Sequence, residues 1–258
     1  MRILSCLLIF IIAVSAQAMN VVLDPGHGGN DRGATQGLFT EAEITLQVAN
    51  LVAIDLKRDP RFSVYLTRET DRYMSLEDRA SFANKKSDLF LSIHVNSSSD
   101  PRASGKEIYF QNQLLPDEES LFLASRENKT MKSEREVTRA VSLNLKSKKN
   151  LNPEVRAIVE DLERNHRFKL SGIFTEKLFF HWGGGSQYRR HSIRQAPFFV
   201  VSNIDKPAAL IEIGYLSNKK EALNLVNPQY QKKIAKGIYH AIISFKEFID
   251  NQAEKSLN

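Results

Sequence analysis

The 258-residue chain predicts an α/β fold: a mostly parallel or mixed sheet of about six strands, flanked by helices, with a helical insertion before the last strands. Three observations lead there. Short β-rich runs alternate with stretches of helical spacing, the order expected of a sheet covered on both faces. The run Leu89–Val95 alternates cleanly, Leu89, Leu91, Ile93 and Val95 on one face and Phe90, Ser92 and His94 on the other. Between two such mixed blocks lies a polar, helix-prone stretch, residues 112–195, with 16 Lys/Arg against 11 Asp/Glu.

In chain order, the first feature is a leader. Arg2 precedes the apolar stretch Ile3–Val14, too short to span a bilayer comfortably, and Ala16-Gln17-Ala18 has the small-x-small cleavage pattern. Residues 1–18 therefore read as a signal peptide. Cys6 falls inside it, so the mature chain from about Met19 has no cysteine. That excludes a cysteine nucleophile, a thiolate metal site and any disulfide, in a chain expected to be exported. The remaining residues suit one α/β domain with an insertion, or two small domains.

Asn20–Leu23 is a short strand ending at a Gly-rich turn. Thr40 and Glu43 form a capping box, so a helix starts at Glu41 and buries Ile44, Val48, Leu51 and Val52. Phe62–Thr67 alternates as a strand, and Ser75 caps a helix carrying Leu76, Ala80 and Ala83. Gly105–Gln111, Pro197–Asn203 and Pro207–Ile213 are the further strands. Inside the insertion, Thr130–Leu145 and Asn152–Phe168 are the helix candidates, and Gly183-Gly184-Gly185 marks a loop near His181 and Trp182. Asn227-Pro228 opens the last helix, with Ile234, Ile238, Ala241, Ile242, Phe245 and Ile249 as its buried stripe.

The formal charge of +6 favours anionic partners such as envelope polymers or lipid headgroups, although a solvated helical surface explains most of it. Nothing resembles a nucleic-acid module.

Four residues carry the chemistry. His27 follows a strand in Asp24-Pro25-Gly26-His27-Gly28-Gly29, Glu41 begins a helix, His94 ends a strand in Ser92-Ile93-His94-Val95-Asn96, and Glu212 lies within the apolar run Ala208–Ile213. Two His and one Glu make a three-ligand zinc set, and the other Glu can take a proton from water. Each has a blander explanation: a loop histidine bonding the backbone, a helix-capping carboxylate, a hydrogen-bonded core histidine, and a carboxylate paired with Arg68 or Arg79. Glu212 resists its explanation most, because an ionised carboxylate in a buried strand is costly without a partner or metal. Asp24 is the candidate to orient the second nitrogen of His27, or simply caps the turn.

In these motifs the chain resembles the zinc-dependent N-acetylmuramoyl-L-alanine amidases of bacterial cell walls, the type-3 amidase family. The resemblance runs through Asp24–Ala34, Gly37–Leu46, Leu66-Thr67-Arg68 with Asp71, Leu76 with Arg79, Ala83-Asn84, Asp88–Asn96 and Leu210–Asn218. Arg32 and Ala42 depart from it, where proline and lysine are common. It implies that His27, Glu41 and His94 bind Zn2+, that Glu212 is the catalytic carboxylate, and that residues 19–258 form the catalytic domain with 112–195 as an insertion. The implied reaction hydrolyses the amide between N-acetylmuramic acid and L-alanine in peptidoglycan. A non-catalytic peptidoglycan-binding module and a zinc peptidase acting on stem peptides are the alternatives. Division-type members carry an insertion whose helix plugs the site. A helix around 128–148, with Glu134 or Glu136 as occluding carboxylate, is therefore expected to cover the metal until an activator protein moves it; a permanent lid or substrate-binding wall is the equal alternative. Arg126-Glu127-Asn128 looks like part of the same insertion. The expected protein is a periplasmic or secreted monomer without nucleic-acid partner or stable membrane insertion.

Overall fold

The structure is a computed structural model that describes residues 17–113, 115–130, 152–183 and 193–257. Most of the expected leader, up to Ala16, most of the stretch expected as a Thr130–Leu145 helix, and the residues from Gly184 to 192 in the expected glycine loop lie outside those residues.

Strand β1 (Met19–Pro25) leads through the hairpin β2 (Thr35–Gln36) and β3 (Phe39–Thr40) into helix α1 (Glu41–Leu56). Then come β4 (Phe62–Leu66), α2 (Leu76–Lys86), β5 (Leu89–Asn96) and β6 (Glu107–Phe110). Helices α3 (Glu118–Glu127) and α4 (Pro153–Leu178) precede β7 (Ile193–Gln195). The short α5 (Phe199–Ser202), β8 (Ala208–Tyr215), α6 (Lys219–Leu225) and α7 (Pro228–Leu257) complete the chain.

The caps fall where the side chains dictate. The Thr40 hydroxyl accepts from Glu43 N–H at 3.3 Å, so α1 begins at Glu41. Ser75 caps α2, Asn152 caps α4 ahead of Pro153, and the Asn227 side chain accepts from the first free N–H groups of α7.

The six-stranded sheet has the order β4-β1-β5-β8-β6-β7. The first four strands run parallel; β6 is antiparallel to β8 and parallel to β7. Every residue of β5 and β8 is buried, because helices cover both faces. On one face Leu89, Leu91, Ile93 and Val95 pack with α1, α7 and the Phe174 end of α4. On the other, Phe90 and Leu210 pack with α2, Leu123 and Ala124 of α3, and Phe198–Val201. Each such apolar side chain removed from water contributes about 1.5–3 kcal/mol. The second half of α4, although within the 112–195 stretch, is part of the core: Phe174 and Leu178 are fully buried.

One expected strand is something else. Within residues 197–203 the chain forms the one-turn helix α5 (Phe199–Ser202), with Ser202 N–H bonded to Phe198 C=O, and the sixth strand is Ile193–Gln195. The β propensity of Phe-Phe-Val-Val yields to packing: these side chains fill the second core cluster, while the sheet edge beside β6 is taken by the preceding residues.

The chain reverses its direction of winding at β1, which has β4 on one side and β5 on the other. The carboxyl ends of β1 and β5 therefore open onto a crevice, where an open α/β sheet gathers its functional groups.

Candidate metal centre

That crevice brings His27, Glu41 and His94 together. One ligand atom from each lies within 4.8 Å of the others. The distances are short: His27 Nε2 to Glu41 Oε2 is 3.2 Å and His94 Nδ1 to Glu41 Oε1 is 3.0 Å. Donor atoms about 2.0–2.1 Å from a tetrahedral zinc stand roughly 3.3 Å from each other, and the two short contacts, made to different oxygens of Glu41, have that spacing. His27 Nε2 is buried and makes no hydrogen bond, despite its closeness to Glu41. A buried ring nitrogen left without a hydrogen bond among metal-type donors is what a cation would satisfy.

Local backbone explains the approach. His27 adopts φ 58°, unusual for a residue with a Cβ, and is held there by paired bonds between Gly28 and Asp31 backbone groups. Two glycines make room: a Cβ on Gly26 would lie 2.6 Å from the His94 ring, and one on Gly33 would lie 2.5 Å from Glu41 Oε2. Glu41 is fixed by backbone donors, Ala34 N–H to Oε2 and Val95 N–H to Oε1, both at 2.8 Å. It is thus both a first-turn helical acid and a member of the cluster.

The group that orients His27 is Asp31, whose Oδ2 lies 2.9 Å from Nδ1. With Nδ1–H donating to Asp31, Nε2 presents its lone pair to the cluster. Asp24, the sequence candidate for this role, is fully buried elsewhere: it accepts from Thr67, Ser92 and Arg79 at 2.6, 2.7 and 2.7 Å. Burial works against its charge, but Arg79 and the two hydroxyls hold its carboxyl below the usual range. Asp31→Ala is expected to weaken metal binding about 10- to 100-fold while leaving the thermal transition near wild type. Titration of the metal-stripped protein with zinc checks this; unchanged affinity would refute an orienting role for Asp31.

Glu212 sits on β8 level with His94 on the neighbouring β5, and its side chain is buried. Neither Arg68 nor Arg79 pairs with it. Arg68 donates to the Pro25, Gly26 and Ala42 carbonyls, and Arg79 goes to Asp24 and the Pro25 and His27 carbonyls. The Oε2 atom of Glu212 has no hydrogen bond. Burial first, then the charges of Glu41, Glu127 and Glu107, pushes its carboxyl well above the ordinary carboxylate range. Glu41 is displaced the opposite way: burial opposes its ionisation, but His27 and His94 hold it well below.

A fifth residue stands in the centre. Glu127, the last residue of α3, has Oε2 3.3 Å from His27 Nε2 and 3.6 Å from His94 Nδ1. Its neighbours fasten it: Arg126 donates to Ser97 C=O at 2.7 Å, and the Asn128 side chain bridges Pro197 C=O and Phe199 N–H. Glu134 and Glu136, the expected occluding carboxylates, lie outside the described residues. In the sequence Glu127 stood only within Arg126-Glu127-Asn128, as part of the insertion, with no role of its own. Its signal was the neighbouring Arg126 and Asn128, which dock α3 over the crevice. Beside Glu127 the opening is lined by Tyr73, Met74, Phe198 and Val200.

Comparison with known proteins gives the family. A family model described as "N-acetylmuramoyl-L-alanine amidase" matches residues 21–244. The chain is 30% identical over 241 residues to the probable N-acetylmuramoyl-L-alanine amidase AmiB of Haemophilus influenzae, covering 92% of this chain but 54% of that relative. It is 28% identical over 239 residues to the N-acetylmuramoyl-L-alanine amidase AmiA of Escherichia coli, covering 92% of this chain and 79% of the other. Among solved structures, the catalytic domain of CwlV, an amidase from Bacillus (Paenibacillus) polymyxa, superposes with a TM-score of 0.62 at 26% identity, covering 90% of this chain and 98% of that one.

Proposed function

Since the chain belongs to the N-acetylmuramoyl-L-alanine amidase family, we propose that it hydrolyses the amide between N-acetylmuramic acid and the L-alanine of the peptidoglycan stem, with His27, Glu41 and His94 as zinc ligands and Glu212 as the catalytic carboxylate. The observation that carries the proposal is the coincidence, in one crevice, of a two-His, one-Glu donor set at zinc-like spacing with a buried carboxylate of raised proton affinity. Residues 19–258 then act as one catalytic domain. The wall substrate and the leader-like residues 1–18 support a periplasmic or secreted enzyme. No helix among the described residues is long and apolar enough to cross a membrane.

When bound, zinc lowers the pKa of water and polarises the amide carbonyl. The protein's own residues do the rest. Glu212 accepts the proton of the attacking water and returns it to the departing alanine nitrogen, a role that suits a buried carboxyl whose proton affinity is raised. Asp31 holds the His27 ring, and the backbone N–H groups of Ala34 and Val95 hold Glu41, so the donor set needs no rearrangement.

In the present arrangement Glu127 completes the donor set from above, where substrate and water must enter. The described state is therefore self-blocked, and a partner protein that draws α3 away would relieve it. The activity test is incubation of purified peptidoglycan fragments with wild type and Glu127→Ala, followed by mass analysis. An amidase releases an intact stem with a free L-alanine amine, and chelation abolishes the release until zinc is restored. Cut stems would instead identify a peptidase, and binding without product a non-catalytic module.

A further inference from the structure

The cavity that reaches His27, His94 and Glu127 has one open aromatic in its lining. Phe198 and Val200 are 1% and 4% exposed, and Met74 and Leu76 are half-buried. Tyr73, in the segment between β4 and α2, is 44% exposed. Among the described residues its ring makes no aromatic or cation contact and its hydroxyl no hydrogen bond. The fold thus makes no polar or aromatic use of this ring, although it stands beside the metal cluster.

The backbone beneath the ring is fixed to the turn that carries His27. Gly29 N–H donates to Asp71 Oδ1 at 2.8 Å. A Cβ on Gly28 would lie 2.4 Å from the Arg72 carbonyl oxygen, and one on Gly29 would lie 2.6 Å from Tyr73 N, so the two segments meet main chain to main chain. The Arg72 guanidinium donates to Thr67 C=O at 2.9 Å, and Ser75 caps α2 two residues after Tyr73. The glycines that follow His27 therefore admit Tyr73 to the cavity, and the ring cannot drift from the cluster without parting these contacts. An apolar surface already held in place gives up little conformational freedom when a ligand covers it.

The amidase substrate has one part suited to such a surface. Its scissile amide joins the lactyl group of a sugar to the first residue of a peptide, so a substrate centred on the cluster has a pyranose on one side and the stem on the other. The stem carries charge, whereas the pyranose is rigid, uncharged and presents a face of C–H groups. The negative face of an aromatic ring attracts such groups while removing apolar area from water. We propose that Tyr73 is the platform on which the muramoyl sugar stacks, so that the enzyme reads the glycan as well as the amide. This rests on the amidase reading above.

The test uses two substrates with the same scissile amide, an N-acetylmuramoyl-peptide and a lactyl-peptide that has no sugar. Steady-state kinetics are measured on the full chain and its Glu127→Ala form, each with Tyr73, Tyr73→Phe or Tyr73→Ala. Loss of the sugar is expected to raise KM about tenfold with kcat little changed, the effect of uniform binding through one ring contact. Tyr73→Ala should raise KM about five- to tenfold on the muramoyl substrate alone, and Tyr73→Phe, which keeps the ring, should restore the preference. Equal KM for the two substrates with Tyr73 present overturns the proposal, and that comparison needs no variant at position 73. So does a Tyr73→Ala form that discriminates between them as sharply as its parent, or a Tyr73→Phe form as impaired as Tyr73→Ala. Absence of turnover on both substrates removes the amidase reading and this proposal with it, whereas turnover of both without preference removes this proposal alone.

Discussion

Glu212→Gln is expected to retain zinc and the wild-type fold but to lose about 10²- to 10⁴-fold in kcat, the worth of a positioned general acid–base. The amide keeps the volume and removes the proton-accepting charge. Because Glu212 Oε2 makes no hydrogen bond, the change breaks no structural contact at that atom. It also relieves the mutual repulsion of Glu212, Glu41, Glu127 and Glu107, so stability should hold or rise. His94→Ala is the complementary control: it removes a donor and should lose metal as well as turnover. Metal content, thermal transition and kcat measured together separate the two roles. A Glu212→Gln protein that carries one zinc and turns over at the wild-type rate would end the assignment of Glu212 as the proton carrier.

Glu127→Ala should act in the opposite direction. The Glu127 carboxylate is about as close to both imidazoles as Glu41 is, and on the proposed reading it occupies the place substrate must take. Truncating it vacates that position while the Arg126 and Asn128 anchors keep α3 in register. Bonds to charged groups contribute about 1.5–3 kcal/mol, so basal hydrolysis should rise on the order of 10- to 100-fold. Further gain is expected from Glu127→Ala combined with Asn128→Ala, which removes the anchor to Pro197 and Phe199. Rates at matched zinc content decide it: a folded Glu127→Ala chain no faster than wild type would mean that α3 is a wall of the site and not a plug.

These expectations draw unequally on sequence and structure. Periodicity and caps carry local information, so β1, α1, β4, α2, β5, β8 and α7 are legible from Leu23, Thr40, Val64, Ser75, Leu91, Ile211 and Pro228 alone. The region 197–203 is not, because its apolar residues suit either a strand or a packed turn, and only the presence of Ile193–Gln195 on the sheet edge decides. Asp24 and Asp31 illustrate the same limit. Both are acids within four residues of His27; which one meets its ring depends on the turn at Gly28 and on where Thr67, Ser92 and Arg79 stand.

By itself the sequence determined the α/β alternation, the family, and the four motifs of His27, Glu41, His94 and Glu212, because those depend on residue type and short-range order. Only the tertiary structure decided that Glu127 fills the centre, that Asp31 steadies His27, and that Tyr73 stands open beside them. Contacts between residues distant in sequence are fixed by sheet order and helix docking, and a linear pattern of residue types does not contain those distances.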